Sequence, residues 1–186
     1  MSAKPLNLAL PLALLLAGAS AHAADYTQAP GSNLAFAGSY QGEVFTGKFP
    51  GFTTRLTFDP EQLTKARLDV TIALATAATS NADYNGELHG PAFFNAAKFP
   101  QARYTATTFR ALGGNRYAAV GTLSLRGVRK PVTLEFTWTP GARPVLAGKA
   151  TVRRLAFGIG GGEWADTTLI PDAIAISTKV VLVPAK

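Results

Sequence analysis

The chain of 186 residues has no cysteine, one methionine and two histidines. Thiol nucleophiles, disulfide staples and cysteine-rich metal sites are thereby excluded. His22 lies in an N-terminal segment read below as a leader, which leaves His89 without a second imidazole to share a metal. Charged residues are sparse at 16%, and the net charge of +7 is spread along the sequence, neither blocked together nor interleaved with stacking aromatics. That describes a solvated surface, and no nucleic-acid partner is expected. Two catalytic signatures are also missing. No Gly-x-Ser-x-Gly marks a serine nucleophile for His89, and "FGIGGGEWAD" (157–166) fails the dinucleotide pattern because Glu163 stands where its last glycine belongs.

Long apolar runs are scarce too. The one candidate, residues 8–19, is shorter than the roughly 20 residues a membrane-spanning helix needs. It follows Lys4 and ends in Ala21-His22-Ala23, with small residues at the two positions a signal peptidase reads. Residues 1–23 are therefore expected to be a cleaved secretory signal peptide, and 24–186 a single exported domain with no stable membrane insertion.

What the mature chain has in abundance is alternation. In "RLDVTIAL" (67–74), Leu68, Val70, Ile72 and Leu74 share one face while Arg67, Asp69 and Thr71 share the other. The same period of two runs through Leu34 and Phe36, Phe45 and Phe49, Phe52 to Phe58, Tyr117 to Leu125, Val132 to Trp138, Leu146 and Val152, and Ile174 to Leu182. Pro50-Gly51, Asp59-Pro60, Gly113-Gly114-Asn115 and Pro140-Gly141 punctuate these segments as short turns, so antiparallel neighbours follow. About eight one-sidedly apolar strands must close into a barrel or pack as a sandwich to hide their apolar faces and edges. "GPAFFNAAKFP" (90–100) breaks the alternation, and its proline in the first position predicts one or two helical turns near 91–97 in a long connection.

Candidate sites follow from the same pattern. Ala119 and Gly121 lie between Tyr117 and Leu123 on one strand face, which reads either as a groove for a slender ligand or as a bulge or close strand crossing. Glu163 and Asp166 flank Trp164, and Glu87 precedes His89 by two residues, so an acid/base reading of these groups on a ligand in the same interior stands as an alternative to binding alone. In "RGVRKP" (126–131), glycine gives turn freedom and proline fixes the entry to the next strand. Arg126 is the candidate contact for a ligand head group, since a guanidinium donates two parallel bonds.

Three segments resemble the YceI-like family of secreted bacterial lipid-binding proteins: "PAFFNAAKFPQARYTATTF" (91–109), "GTLSLRGVRKPVTL" (121–134) and "RLAFGIG" (154–160). The resemblance spans the mature chain. It implies an all-β fold, an extended antiparallel lipocalin-like barrel with one short helix, in the periplasm, holding a polyisoprenoid lipid such as an isoprenoid quinone and requiring no cofactor. It implies a carrier or store; a stress-related protein with a structural lipid is the other possibility. "GEWADT" (162–167) resembles a subgroup associated with membrane b-type cytochromes, which would make one a partner. Family members often carry histidines near the first strand, absent from "PGSNLAFAGSYQG" here, and Asn85 stands where an aspartate is common. With such a ligand, the candidate contacts are the apolar faces: Phe36, Phe45, Phe58, Leu68, Val70, Phe93, Phe94, Phe109, Tyr117, Ala119, Gly121, Leu123, Phe136, Trp138, Phe157 and Trp164.

Overall fold

A computed structural model describes residues 23–186, so the leader read at 1–23 falls, but for its last residue, outside the described residues. The strands are β1 (Ala24–Gln28), β2 (Asn33–Tyr40), β3 (Glu43–Lys48), β4 (Phe52–Phe58), β5 (Arg67–Ala73), β6 (Ala78–Thr79), β7 (Gln101–Gly113), β8 (Arg116–Leu125), β9 (Val128–Thr139), β10 (Val145–Arg153) and β11 (Ala173–Pro184). All pairings are antiparallel. The order β1-β4-β5-β7-β8-β9-β10-β11 returns to β1, which closes an eight-stranded barrel. β11 is shared lengthwise: Leu182 to Pro184 pair with β1, whereas Ala175 to Lys179 pair with β2. The hairpin of β2 and β3, with β6 on its outer edge, thus prolongs the wall beyond the closed ring.

The alternation read from sequence is the register of this barrel. Phe52, Leu56 and Phe58 of β4 are buried while Thr53 and Arg55 between them are exposed. Because the side-chain period is two, any one-residue slip would turn that set out to water, so each strand has a single acceptable register. The hairpin at "LRGV" has a two-residue turn in which Arg126 (φ 51°) and Gly127 (φ 77°) both take positive φ, the geometry that matches the twist of paired strands.

The helix departs from its expected place. It is α1 (Ala82–His89), and residues 91–98 form turns instead. The Asn81 side chain caps its first turn by accepting from the Asp83 amide at 2.9 Å, and Gly90 ends it, its backbone N–H donating to the Glu87 carbonyl at 3.0 Å. Pro91 is therefore a residue past a helix end, a position proline favours as much as it favours a helix start. α1 buries no residue, so no apolar stripe announced it. Asn85 fastens it to β6, its Oδ1 accepting from the amide (2.7 Å) and hydroxyl (2.9 Å) of Thr79.

Candidate functional site: an apolar cavity inside the barrel

The barrel is sealed at one end by aromatic rings. Phe58 stands at the centre of this plug, 4.9 Å from Trp138, 5.1 Å from Tyr117, 5.6 Å from Phe136 and 6.0 Å from Phe109, centroid to centroid. The other end is covered by the turns that carry Phe93 and Phe94 and by the long connection from β10 to β11. Between them lies a cavity of about 190 Å³. Leu34, Phe36, Phe52, Leu68, Val70, Ile72, Leu123, Leu134, Ala150, Val152, Ile174 and Ile176 contribute to its wall, with Phe45, Phe93, Phe94, Ile159 and Ile170 towards the covered end. Its lining is hydrocarbon almost throughout.

Of the residues expected to face a ligand, Phe36, Phe45, Leu68, Val70, Phe93, Phe94 and Leu123 line this cavity. Phe58, Phe109, Tyr117, Phe136 and Trp138 do not; they form the plug that ends it. Phe157 is buried in a 3-10 turn (Arg154–Phe157) outside the lining, and Trp164 packs over the covered end, 5.5 Å from Phe93 and 6.2 Å from Tyr40.

The groove reading of Ala119 and Gly121 is corrected. A Cβ on Gly121 would stand 2.6 Å from the Tyr104 ring and 2.5 Å from the Thr105 carbonyl oxygen. The space left by these small residues is filled by Tyr104, whose hydroxyl crosses the strand to donate to the Ala119 (2.8 Å) and Val132 (3.1 Å) carbonyls. A register shift between Ala106 and Thr108, beside Gly121, accompanies this close approach. Burial pushes the Tyr104 phenol up to about 12, partly opposed by a backbone hydrogen bond at Leu134.

Arg126 is also differently employed. It is absent from the cavity wall, and its Nη1 donates to the carbonyls of Pro91 (3.1 Å), Ala92 (3.2 Å) and Phe93. The hairpin turn thus clamps the segment carrying the two cover phenylalanines. Two of the acid/base candidates are committed elsewhere: His89 Nε2 bonds the Ala77 carbonyl at 2.8 Å, and Asp166 Oδ1 accepts from the Thr168 hydroxyl (2.7 Å) and amide (2.8 Å); Glu163 is exposed. Those bonds hold the Asp166 carboxyl below its ordinary range. Among the described residues no group of three potential metal ligands converges.

The residue sequence reasoning missed is Arg154. It is only 2% exposed, and its guanidinium donates to five carbonyls: Pro171 (3.2 Å), Ile159 (3.1 Å), Gly160 (2.7 Å), Trp164 (2.8 Å) and Ile170 (2.7 Å). Burial lowers its pKa and the carboxylate of Asp172 offsets part of that. The connection between β10 and β11 is wrapped around this one cation. Gly160 (φ 63°) is needed there, since a Cβ would lie 2.5 Å from the Arg154 Nη1. A signal was available: Leu146, Gly148, Ala150 and Val152 alternate inward, so parity alone sends Arg154 to the same side. The same parity places Tyr104 between Ala102 and Ala106, and Thr54 between Phe52 and Leu56.

A closed antiparallel barrel around one apolar cavity, plugged by aromatics and covered by a loop, defines the lipocalin-like class. Within that class the chain belongs to the YceI-like family, whose domain model matches residues 26–182. A UPF0312 protein of Yersinia pestis is 35% identical over 131 residues, 68% of each chain, and one of Photorhabdus laumondii is 35% identical over 126 residues, 66% of this chain and 65% of the relative. Among solved structures, BcnA of Burkholderia cenocepacia superposes with a TM-score of 0.77 at 28% identity over 81% of this chain and 95% of its own. A polyisoprenoid binding domain from Saccharophagus degradans, implicated in plant cell wall breakdown, gives 0.67 at 17% identity over 88% of this chain and 100% of its own, and shares the fold.

Proposed function

We propose that the mature chain is a periplasmic binding protein that holds one polyisoprenoid lipid, such as an isoprenoid quinone, in the barrel cavity and turns over no substrate. The carrying observation is the cavity of about 190 Å³ with its hydrocarbon wall. Left empty, such a void costs on the order of 4–5 kcal/mol at about 24 cal/mol per Å³. Each methylene of a ligand buried from water contributes about 0.8 kcal/mol more. A slender branched chain fits both terms, because leucine, isoleucine and valine side chains of β2, β5, β8, β9, β10 and β11 present methyl groups to it. The polyisoprenoid binding ascribed to the Saccharophagus degradans domain on the same fold supports this choice of ligand. Against a bilayer the cavity gains little from hydrophobicity, since lipid tails are already apolar; it competes by fit, which makes loading reversible and suits a carrier.

Export is proposed from the leader pattern, with cleavage after Ala23 making Ala24, the first residue of β1, the mature N-terminus. No helix among the described residues is long and apolar enough to cross a membrane. Nothing in the geometry speaks for a b-type cytochrome partner: Trp164 of the motif lies on Phe93 and Tyr40, and Asp166 closes a turn on Thr168.

The test is extraction and mass analysis of the organic molecules in protein purified from its native periplasm. One equivalent of an isoprenoid is expected. Folded protein that carries none, and takes none up from isoprenoid-loaded vesicles, would reject the proposal.

A further inference from the structure

The cavity wall has one polar interruption whose chemistry is incomplete. Among the described residues, two buried side-chain polar atoms lack a hydrogen-bond partner, Thr54 Oγ1 and Gln28 Oε1. They are neighbours. Tyr26 pairs with Leu56 across β1 and β4, and continuing that antiparallel register by two residues sets Gln28 opposite Thr54 on the same inward face. Directly opposed side chains have Cβ atoms about 4.5–5.5 Å apart. Here β1 ends and the chain bends through residues 29–32, so a cleft lined by residues 27–32 and 53–55 opens in the outer wall. Thr54, only 3% exposed, is the residue common to that cleft and the interior cavity.

The donor and acceptor inventory restricts what could complete the pair. Gln28 Nε2 donates to the Phe52 carbonyl at 3.1 Å, which fixes the amide's orientation and leaves its oxygen as an acceptor. The Thr54 hydroxyl can donate or accept. A neutral hydroxyl satisfies both at once, its proton going to Gln28 Oε1 while its oxygen accepts from Thr54. A carboxylate or phosphate offers Gln28 only a second acceptor, and the nearest cation in the cleft lining, Arg55, is exposed on the outer lip. The other polar groups of the cavity wall are spent, Tyr104 on two carbonyls, Thr178 on the Asn33 carbonyl and Arg154 on its loop.

We propose that Gln28 and Thr54 form a subsite for the hydroxyl end, alcohol or phenol, of the lipid that the cavity holds. This rests on the lipid-binding reading above. Losing one neutral hydrogen bond of about 0.5–1.5 kcal/mol weakens binding roughly 2- to 12-fold.

The test is competition, read by native mass spectrometry on the folded mature protein, between geranylgeraniol and its methyl ether, which cannot donate. A parallel pair, geranylgeranyl hydroquinone and its dimethyl ether, distinguishes an alcohol end from a phenolic one. Wild type should prefer the hydroxyl form of at least one pair by roughly 2- to 12-fold. Gln28→Met, which removes the acceptor, should erase that preference while still binding both members, whereas Thr54→Val should weaken both members alike and keep it. Geranylgeranyl phosphate should bind no better than the ether in any variant. Equal occupancy by hydroxyl and ether in wild type, or an unchanged preference in Gln28→Met, overturns the subsite and leaves lipid binding standing. Binding of neither member of either pair overturns the lipid reading together with the subsite.

Discussion

Replacing Arg154 by methionine, which keeps an unbranched apolar stem and removes the guanidinium, tests whether one buried cation holds the cover on the cavity. Five carbonyls lose a donor, and three of those bonds, to Ile159, Gly160 and Ile170, are fully buried. An orphaned buried acceptor costs about 1–3 kcal/mol. Because the five belong to one network, their costs do not sum independently, and the lower end of that range for the three buried ones gives about 3 kcal/mol as a floor. We expect a loss of about 3–5 kcal/mol, a large share of the 5–15 kcal/mol typical of a domain. At about 2–4 °C per kcal/mol for a chain of this size, the melting temperature should fall by roughly 6–20 °C. The damage should be local first. Limited proteolysis should cut within residues 158–171 before the barrel strands, and retained lipid should escape faster, because Ile159 and Ile170 are part of the cavity wall. Arg154→Lys keeps the charge but offers three donors from one point in place of a planar fork, so it should fall between the two. A methionine variant that melts within about 1 kcal/mol of wild type, with residues 158–171 still resistant to protease, would refute the argument.

Further outcomes follow from the same geometry. Gly121→Ala should destabilise the barrel by about 1–3 kcal/mol in denaturant melts, since its Cβ meets Tyr104 and a backbone oxygen; a neutral result would restore the groove reading. Tyr104 has its phenol pKa raised from 10.0 to about 12 in the fold, so its contribution is fully present below pH 10 and is lost as pH rises from about 10 to 12, on the order of 3 kcal/mol in all. Tyr104→Phe should flatten that alkaline loss of stability and cost about 1 kcal/mol at neutral pH for its missing hydrogen bonds. Ala150→Phe, which points a ring into the cavity, should sharply lower the isoprenoid recovered by extraction while the protein remains folded. Arg129→Ala with Lys130→Ala, both exposed beyond the hairpin turn, should leave lipid content unchanged in the same extraction.

How far the sequence reached can be argued from single residues. Leu68, Val70, Ile72 and Leu74 were legible as one face because strand geometry alone, without any partner, alternates side chains; all four line the cavity. Apolar strand faces and bare edges left a barrel or a sandwich, and the resemblance to the YceI-like family implied the barrel that the structure shows. Pro91 was misread because a proline's fixed φ and missing amide suit the first turn of a helix and the residues after its end equally, and of the caps that decide between them Asn81 lies outside the apolar segment that drew attention and Gly90 only opens it.

What only tertiary structure decided are the contacts that depend on which strand lies beside which. Small residues at Ala119 and Gly121 say that space exists, not that Tyr104 of the neighbouring strand fills it. An arginine at position 126 or 154 announces five donors, and its acceptors in both cases are main-chain carbonyls, which every residue carries and no sequence marks. Thr54 and Gln28 likewise became a pair only when β1 and β4 closed the ring. Alternation is a property of one chain segment and can be read from it; the filling of a gap and the partner of a buried donor belong to pairs of segments, and folding chooses the pairs.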